Sequence, residues 1–302
     1  MNKLRKFIFE FEVQKNHSVL FSNLILIILS INILSLIPDI FTIFSKNGII
    51  SPRINALFVD KRLLTVTDLT DLIEQLGLSY NNAFTMIILI YIISIFLSLL
   101  NYFRVLFSVI IIMIHTILVN STYLFSYGAD FMIGFLLYCN FFFSLASVES
   151  KYSMSVCSFT LRLMQVQLCI IYFFGGFGKY IGNDWYNGNA MWMAFNHYMN
   201  EDLLNFLAGK IPKVLYTILS IGIMFLELLY PALIYIKKTR KITMILILFM
   251  HIGIGLMIGL YTFAIAMIVF NMIAFYPDKL ASIFNFQKKI NINRIWHWKS
   301  TM

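Results

Sequence analysis

Long apolar stretches separated by short polar ones organise this chain. Uncharged or nearly uncharged runs fall at about 19–37, 84–100, 105–123, 131–148, 163–178, 214–236, 242–256 and 259–276. Runs of roughly this length read as transmembrane helices, because a helix rises about 1.5 Å per residue and the hydrocarbon layer is about 30 Å thick. The last stretch, ITMILILFMHIGIGLMIGLYTFAIAMIVFNMIAFY, is too long for one span. Gly253, Gly255 and Gly259 weaken its helix most and divide it into a pair of short, tilted helices. The pattern therefore predicts an all-α polytopic transmembrane bundle of about eight spans, forming a single domain over 1–302.

An even number of spans puts both termini on one side, and charge selects the side. With the N-terminus cytoplasmic, 16 of the 23 Lys and Arg residues lie in inner segments, Arg104 and the short loop KKTRK (237–241) among them. That excess is what the positive-inside rule requires. The amphipathic start, 1–18, carries Lys3, Arg5, Lys6 and Lys15 and suits a membrane surface. The first apolar run is too long for a cleavable signal peptide and reads as the first span. Segments 38–83 and 179–213 fall outside, and 277–302 forms a basic cytoplasmic tail. In the first outer segment, Thr67 or Asp68 is placed to cap a short amphipathic helix carrying Leu69, Leu72, Ile73 and Leu76.

Composition agrees with the pattern: 60% of the 302 residues are hydrophobic and 12% charged. The net charge of +9 is then a topology signal and does not imply nucleic acid. Cys139, Cys157 and Cys169 sit in or beside apolar runs without metal-ligand spacing, so no metal site is expected.

An ionisable side chain inside a span is expensive, so His115, Asp130, Glu227 and His251 each need an explanation. His115 fits a neutral imidazole bonded to a neighbouring helix. Asp130, two residues after Gly128, fits a helix cap as well as a catalytic acid. Glu227 lies deep, four residues before Pro231, and is either paired or functional. His251 either faces a cavity opened by the glycines or bonds to another helix. The sharpest candidate is Lys179 in IYFFGGFGKYIGNDWYNG, which has no acidic residue within four positions. It either snorkels to water or works as an amine in a glycine-lined site among Tyr172, Phe173, Phe174, Phe177, Tyr180, Trp185 and Tyr186.

The segment QLCIIYFFGGFGKYIGNDWYNGNAM resembles the signature of HTTM proteins, the membrane module shared with vitamin K-dependent gamma-carboxylases. Gln167, Tyr172, Gly175, Gly176, Lys179, Trp185 and Gly188 carry the likeness. A second block resembles the family's Glu–Pro span, basic loop and span with a central His, here Glu227, Pro231 and His251. GADFMIGFLLYCNFFFSLAS is similar to the Gly-x-Asp helix start of the bacterial, sporulation-delaying protein B-like branch. The resemblance implies a multi-pass protein of the bacterial cell membrane that matures a secreted antimicrobial peptide precursor. Lys179, with Asp130, Glu227 and His251, would carry catalysis, and Gln167, Tyr172, Gly175, Gly176, Trp185 and Gly188 would bind substrate. Lys179 aligns with the carboxylase base, whereas Gly178 stands in place of that family's first lysine and Gly128–Asp130 in place of its Asn-His pair.

Three readings follow. The chain is a maturation factor acting on a secreted peptide at the outer face. Alternatively it is a quinone-dependent, carboxylase-like oxygenase, the quinone being implied by the resemblance alone. The third reading is a non-enzymatic immunity, binding or assembly protein. Partners are the bilayer, a peptide precursor and a small soluble or peripheral protein supplying a missing substrate-binding part. The orientation has a direct test. With the native cysteines replaced, Lys238→Cys should resist a membrane-impermeant maleimide in intact cells and react once the membrane is opened.

Overall fold

A computed structural model of the chain describes residues 2–10, 16–46, 48–49, 51–55, 57–60, 62–122, 125–148, 150–198 and 212–284. Among these residues the fold contains helices and no strands. Seven helices are long and apolar enough to cross a membrane, and an eighth span results if Tyr261–Phe275 and Pro277–Phe284, broken at Tyr276, count together. Side chains such as Phe96, Met113, Phe249 and Leu256 are exposed on these helices. A water-soluble protein does not present so many large apolar groups, whereas lipid tails solvate them. The chain is a multi-pass membrane protein.

The chain forms two compact units, one of residues 1–160 and 276–302, the other of Leu161–Phe275. In the first unit the surface helix α1 (Asn2–Phe9) precedes α2 (Asn16–Leu36), which continues through a 3-10 turn at Ile37–Asp39 into α3 (Ile40–Phe44). Pro38 in that turn lacks the N–H a continuous helix needs. A short helix, α4 (Pro52–Asn55), leads to α5 (Val66–Glu74), the expected amphipathic helix. Its cap is Thr65, one turn earlier than Asp68: the Thr65 hydroxyl accepts from the Asp68 N–H while the Asp68 carboxylate accepts from the Thr65 N–H. Asp68 is thus the far half of a capping box and does not itself start the helix. The spans α6 (Tyr80–Leu99), α7 (Arg104–Ser121) and α8 (Gly128–Ser147) complete the unit's core with α2. Helix α2 packs chiefly on α8, and α7 packs on both α6 and α8. Phe21 meets Phe143 edge to face at 5.5 Å in that seam.

Helix α9 runs from Ser153 to Ile181, 29 residues, ten residues earlier at its start than the apolar run predicts. Arg162, which ended that run in the sequence, is held in the helix by donating to Gln165 Oε1 at 2.7 Å. The division between units falls inside α9. In the second unit it is followed by a 3-10 turn at Asn183–Trp185, α10 (Asn189–Tyr198), α11 (Lys213–Tyr235), α12 (Arg240–Ile258) and α13 (Tyr261–Phe275). The expected break of the last apolar stretch occurs only at Gly259, which caps α12 in the left-handed region at φ 77°. Gly253 and Gly255 stay helical. A Cβ on Gly255 would stand 3.1 Å from the Ala264 methyl, so this glycine serves the α12–α13 contact.

Glycine also brings α9 and α11 together. A Cβ at Gly176 would lie 2.3 Å from the Leu228 backbone nitrogen, so only glycine permits the two backbones to meet there. Pro231 lies four residues beyond Glu227, which removes the helical N–H that the Glu227 carbonyl would otherwise accept from. By contrast, a Cβ at Gly178 meets nothing within 4 Å. Gly176→Ala should therefore destabilise the protein by about 3 kcal/mol, the upper range for overpacking. Gly178→Ala should be neutral or stabilise by up to about 1 kcal/mol through helix propensity. Thermal unfolding of both variants in detergent distinguishes a packing constraint from a general need for glycine.

Candidate functional site

Residues 172, 175, 176 and 179 recur at helical spacing and share one face of α9. On α11, Glu227 and Tyr230 are one turn apart and also share a face. The glycine contact joins those faces. Lys179 Nζ donates to Glu227 Oε2 at 2.5 Å, and the two side chains are 22% and 10% exposed. This is the acidic partner missing within four positions of Lys179, supplied from 48 residues away. Gly175 makes room for the pair: a Cβ there would stand 3.1 Å from Glu227 Oε2 and 3.8 Å from Lys179 Nζ. The ammonium also lies 5.1 Å from the centre of the Trp185 ring, within cation–π range. Trp185 is brought back over Lys179 by the turn after α9, where Gly182 N–H donates to Lys179 C=O and Trp185 N–H to Gly182 C=O. Lys179 occupies the last turn of α9, where the helix dipole favours a cation.

A second polar layer lies two helical turns from Lys179 along α9. Tyr172, 2% exposed, packs against Tyr230 with ring centres 4.2 Å apart and ring planes tilted by 42°. Asn271 of α13 joins them: it accepts from Tyr230 Oη at 2.7 Å and donates through Nδ2 to Tyr172 Oη at 2.8 Å. Because Tyr172 accepts from Asn271, its own proton is directed to His251 Nε2, 2.7 Å away. That makes Nε2 the acceptor and places the imidazole proton on Nδ1, which has no hydrogen-bond partner among the described residues. The layer ties α9, α11, α12 and α13 together, and it is closed except at that one atom.

Gly188, at φ 80°, does not touch either layer but seats the following turn on α11: a Cβ there would lie 2.7 Å from the Thr217 nitrogen. The Thr217 hydroxyl in turn donates to Asn187 C=O at 3.2 Å. Gln167 is half-buried and takes part in neither layer. The glutamine that does bind across helices is Gln165, whose Nε2 donates to Ala274 C=O at 2.6 Å. Phe173, Phe174 and Phe177 are exposed, on the face of α9 turned away from Lys179, so these rings do not surround the amine as the sequence suggested. Tyr186 donates to Tyr180 C=O at 2.8 Å and steadies the turn.

Asp130 belongs to the first unit, where its carboxylate accepts from the Tyr127 N–H at 3.0 Å in a capping box. His115, in the same unit, has Nδ1 3.2 Å from Tyr91 Oη and Nε2 3.3 Å from the Asp130 carbonyl. Both are satisfied by structural bonds. Of the four ionisable candidates in the reading of catalysis, Lys179, Glu227 and His251 share one unit.

Residues 62–279 match the family model described as HTTM domain, an interval that contains both polar layers. The chain belongs to the HTTM family. No curated protein and no solved structure matches it. In this HTTM chain the ion pair permits a sharp test. Removing one member of a buried pair strands the other charge, at a cost of about 3 kcal/mol, while replacing both by apolar groups does not. Lys179→Met and Glu227→Met should each lower thermal stability, and the double variant should lie closer to wild type than either. Losses that simply add would show the two side chains to be uncoupled.

Proposed function

We propose that this HTTM protein matures a secreted antimicrobial peptide of the sporulation-delaying type at the outer face of a bacterial cell membrane, with Lys179 as its proton-transferring amine. The observation that carries this reading is the Lys179–Glu227 contact of 2.5 Å in a largely buried setting. A cation and an anion held there without further carboxylates are costly to desolvate. Shifting one proton along the bond, from Nζ to Oε2, leaves a neutral amine and a neutral acid without separating charge. The amine then has a lone pair for a substrate proton; once Lys179 has passed that proton to the product, Glu227 returns its own proton to Nζ and the ion pair is restored. Trp185 covers the amine and narrows access to it, and the Tyr172 layer fixes the helix that presents it.

Peptide maturation is the reading that joins this centre to the bacterial branch the sequence resembles. The carboxylase-like alternative would require a hydroquinone beside Lys179. Phe173, Phe174 and Phe177, the most prominent ring cluster on α9, face away from the amine, and no step is assigned through a quinone. The test is mass spectrometry of the peptides secreted by cells making wild-type protein or Lys179→Gln, with membrane levels of the two matched. A peptide whose covalent mass depends on Lys179 supports the enzymatic reading, and the mass difference identifies the reaction. Identical peptides in equal amounts would leave Lys179 with a structural role only.

A further inference from the structure

The first unit contains a polar centre that neither layer of the Lys179 site uses. Arg104 opens α7 and is only 6% exposed. An arginine keeps its charge in any protein setting, yet no carboxylate answers this one among the described residues. Its guanidinium instead donates to neutral oxygens: to Asn101 Oδ1 at 2.8 Å, to Ser22 Oγ at 2.9 Å and to Asn23 Oδ1. Nε has no partner. Ser22 passes the polarity on by donating to Asn140 Oδ1 at 2.5 Å. Asn140 Nδ2 and, one turn further along α8, Ser144 Oγ are both fully buried and also without partners among the described residues.

Of these residues, Arg104, Asn101 and Ser144 border a cavity of about 840 Å³, which they share with Ser147 and apolar side chains. The start of α7 adds donors. The tight α6–α7 turn places Asn101 and Phe103 at φ 67° and 39°, and Phe103 as N-cap offers no side-chain acceptor. The N–H groups of Arg104, Val105 and Leu106 therefore lack the acceptors that a capping side chain would supply, and all three residues line the cavity. Unsatisfied N–H groups at a helix N-terminus together with an unpaired arginine form the donor set that phosphate oxygens fit. The rest of the lining is of a different kind. Phe103, Leu106, Val109 and Val148 border the cavity and are exposed on the apolar surface, where acyl chains lie.

We propose that this cavity binds a phosphate-bearing anion carried on a membrane amphiphile. Its phosphoryl oxygens meet Arg104 and the N-terminus of α7, Ser144 donates to the same head group, and its acyl chain lies along Leu106 and Val109. Charge neutralisation then comes from the ligand in place of a protein carboxylate. The site belongs to the first unit and Lys179 to the second, and the proposal does not depend on the reading given to that lysine.

The experiment is native mass spectrometry of the purified full-length protein, titrated with phosphatidylglycerol, phosphatidylcholine or inorganic phosphate. Wild type should retain phosphatidylglycerol at least about tenfold more strongly than phosphatidylcholine, and inorganic phosphate at millimolar concentration should displace little of it. Arg104→Gln should erase that preference. Arg104 also ties α7 to α2, so Leu106→Trp, which fills the cavity without touching the guanidinium bonds, serves as the second variant and should cut retention about tenfold while unfolding normally. Equal retention of the two lipids by wild type would overturn the proposal. So would full retention by Leu106→Trp, or displacement by inorganic phosphate as effective as by lipid, which would make the ligand a free anion.

Discussion

One ion pair in a low-dielectric setting constrains the second unit. A lysine and a glutamate on different helices tolerate removal from water only when they meet closely, and meeting closely requires the helices to do so first. Gly176 permits the backbone approach to Leu228, and Gly175 leaves the space the carboxylate occupies. Pro231, by freeing the carbonyl of Glu227, loosens α11 at the point of contact. These residues are separate in sequence and perform one task, which is to bring 179 and 227 within a hydrogen bond.

The second polar layer explains why the pair stays where it is. Tyr172 and Tyr230 repeat the α9–α11 contact one to two turns away, and Asn271 and His251 extend it to α12 and α13. Within a membrane, helices gain little from hydrophobic attraction to each other, since lipid tails are equally apolar. Directional bonds and close packing of small residues must set their register. The tyrosine pair and its amide bridge do this for unit two, as Arg104, Ser22 and Asn140 do for unit one.

Much of this was legible in the chain. Apolar run lengths gave the spans to within a few residues, except at α9, where Arg162 looked like an end and is in fact accommodated. Lys179 and Glu227 stood out separately, the first for its missing local partner and the second for its depth. Their pairing was not readable, because nothing local links positions 48 residues apart. Asn271 and Tyr230 carry no charge and so do not mark themselves by the cost of burying one, although an asparagine in FAIAMIVFNMIAF is its own signal. Gln165 and Gln167 differ by two positions, about 200° around a helix, and only packing decides which one faces inward. In the sequence Arg104 reads as a topology charge; its burial depends on the α6–α7 turn, which run lengths do not describe.

The length of α9 has a mechanical consequence. Its 29 residues extend about 43 Å at 1.5 Å per residue, well beyond a hydrocarbon layer of about 30 Å. The surplus is accommodated by tilt or by protrusion, and their balance shifts with the thickness of the surrounding bilayer. Lys179 lies at one end of this rod, so lipid chain length sets how far the amine stands from the water boundary. The membrane then helps to set the surroundings of Lys179, adjustable without any change in the protein.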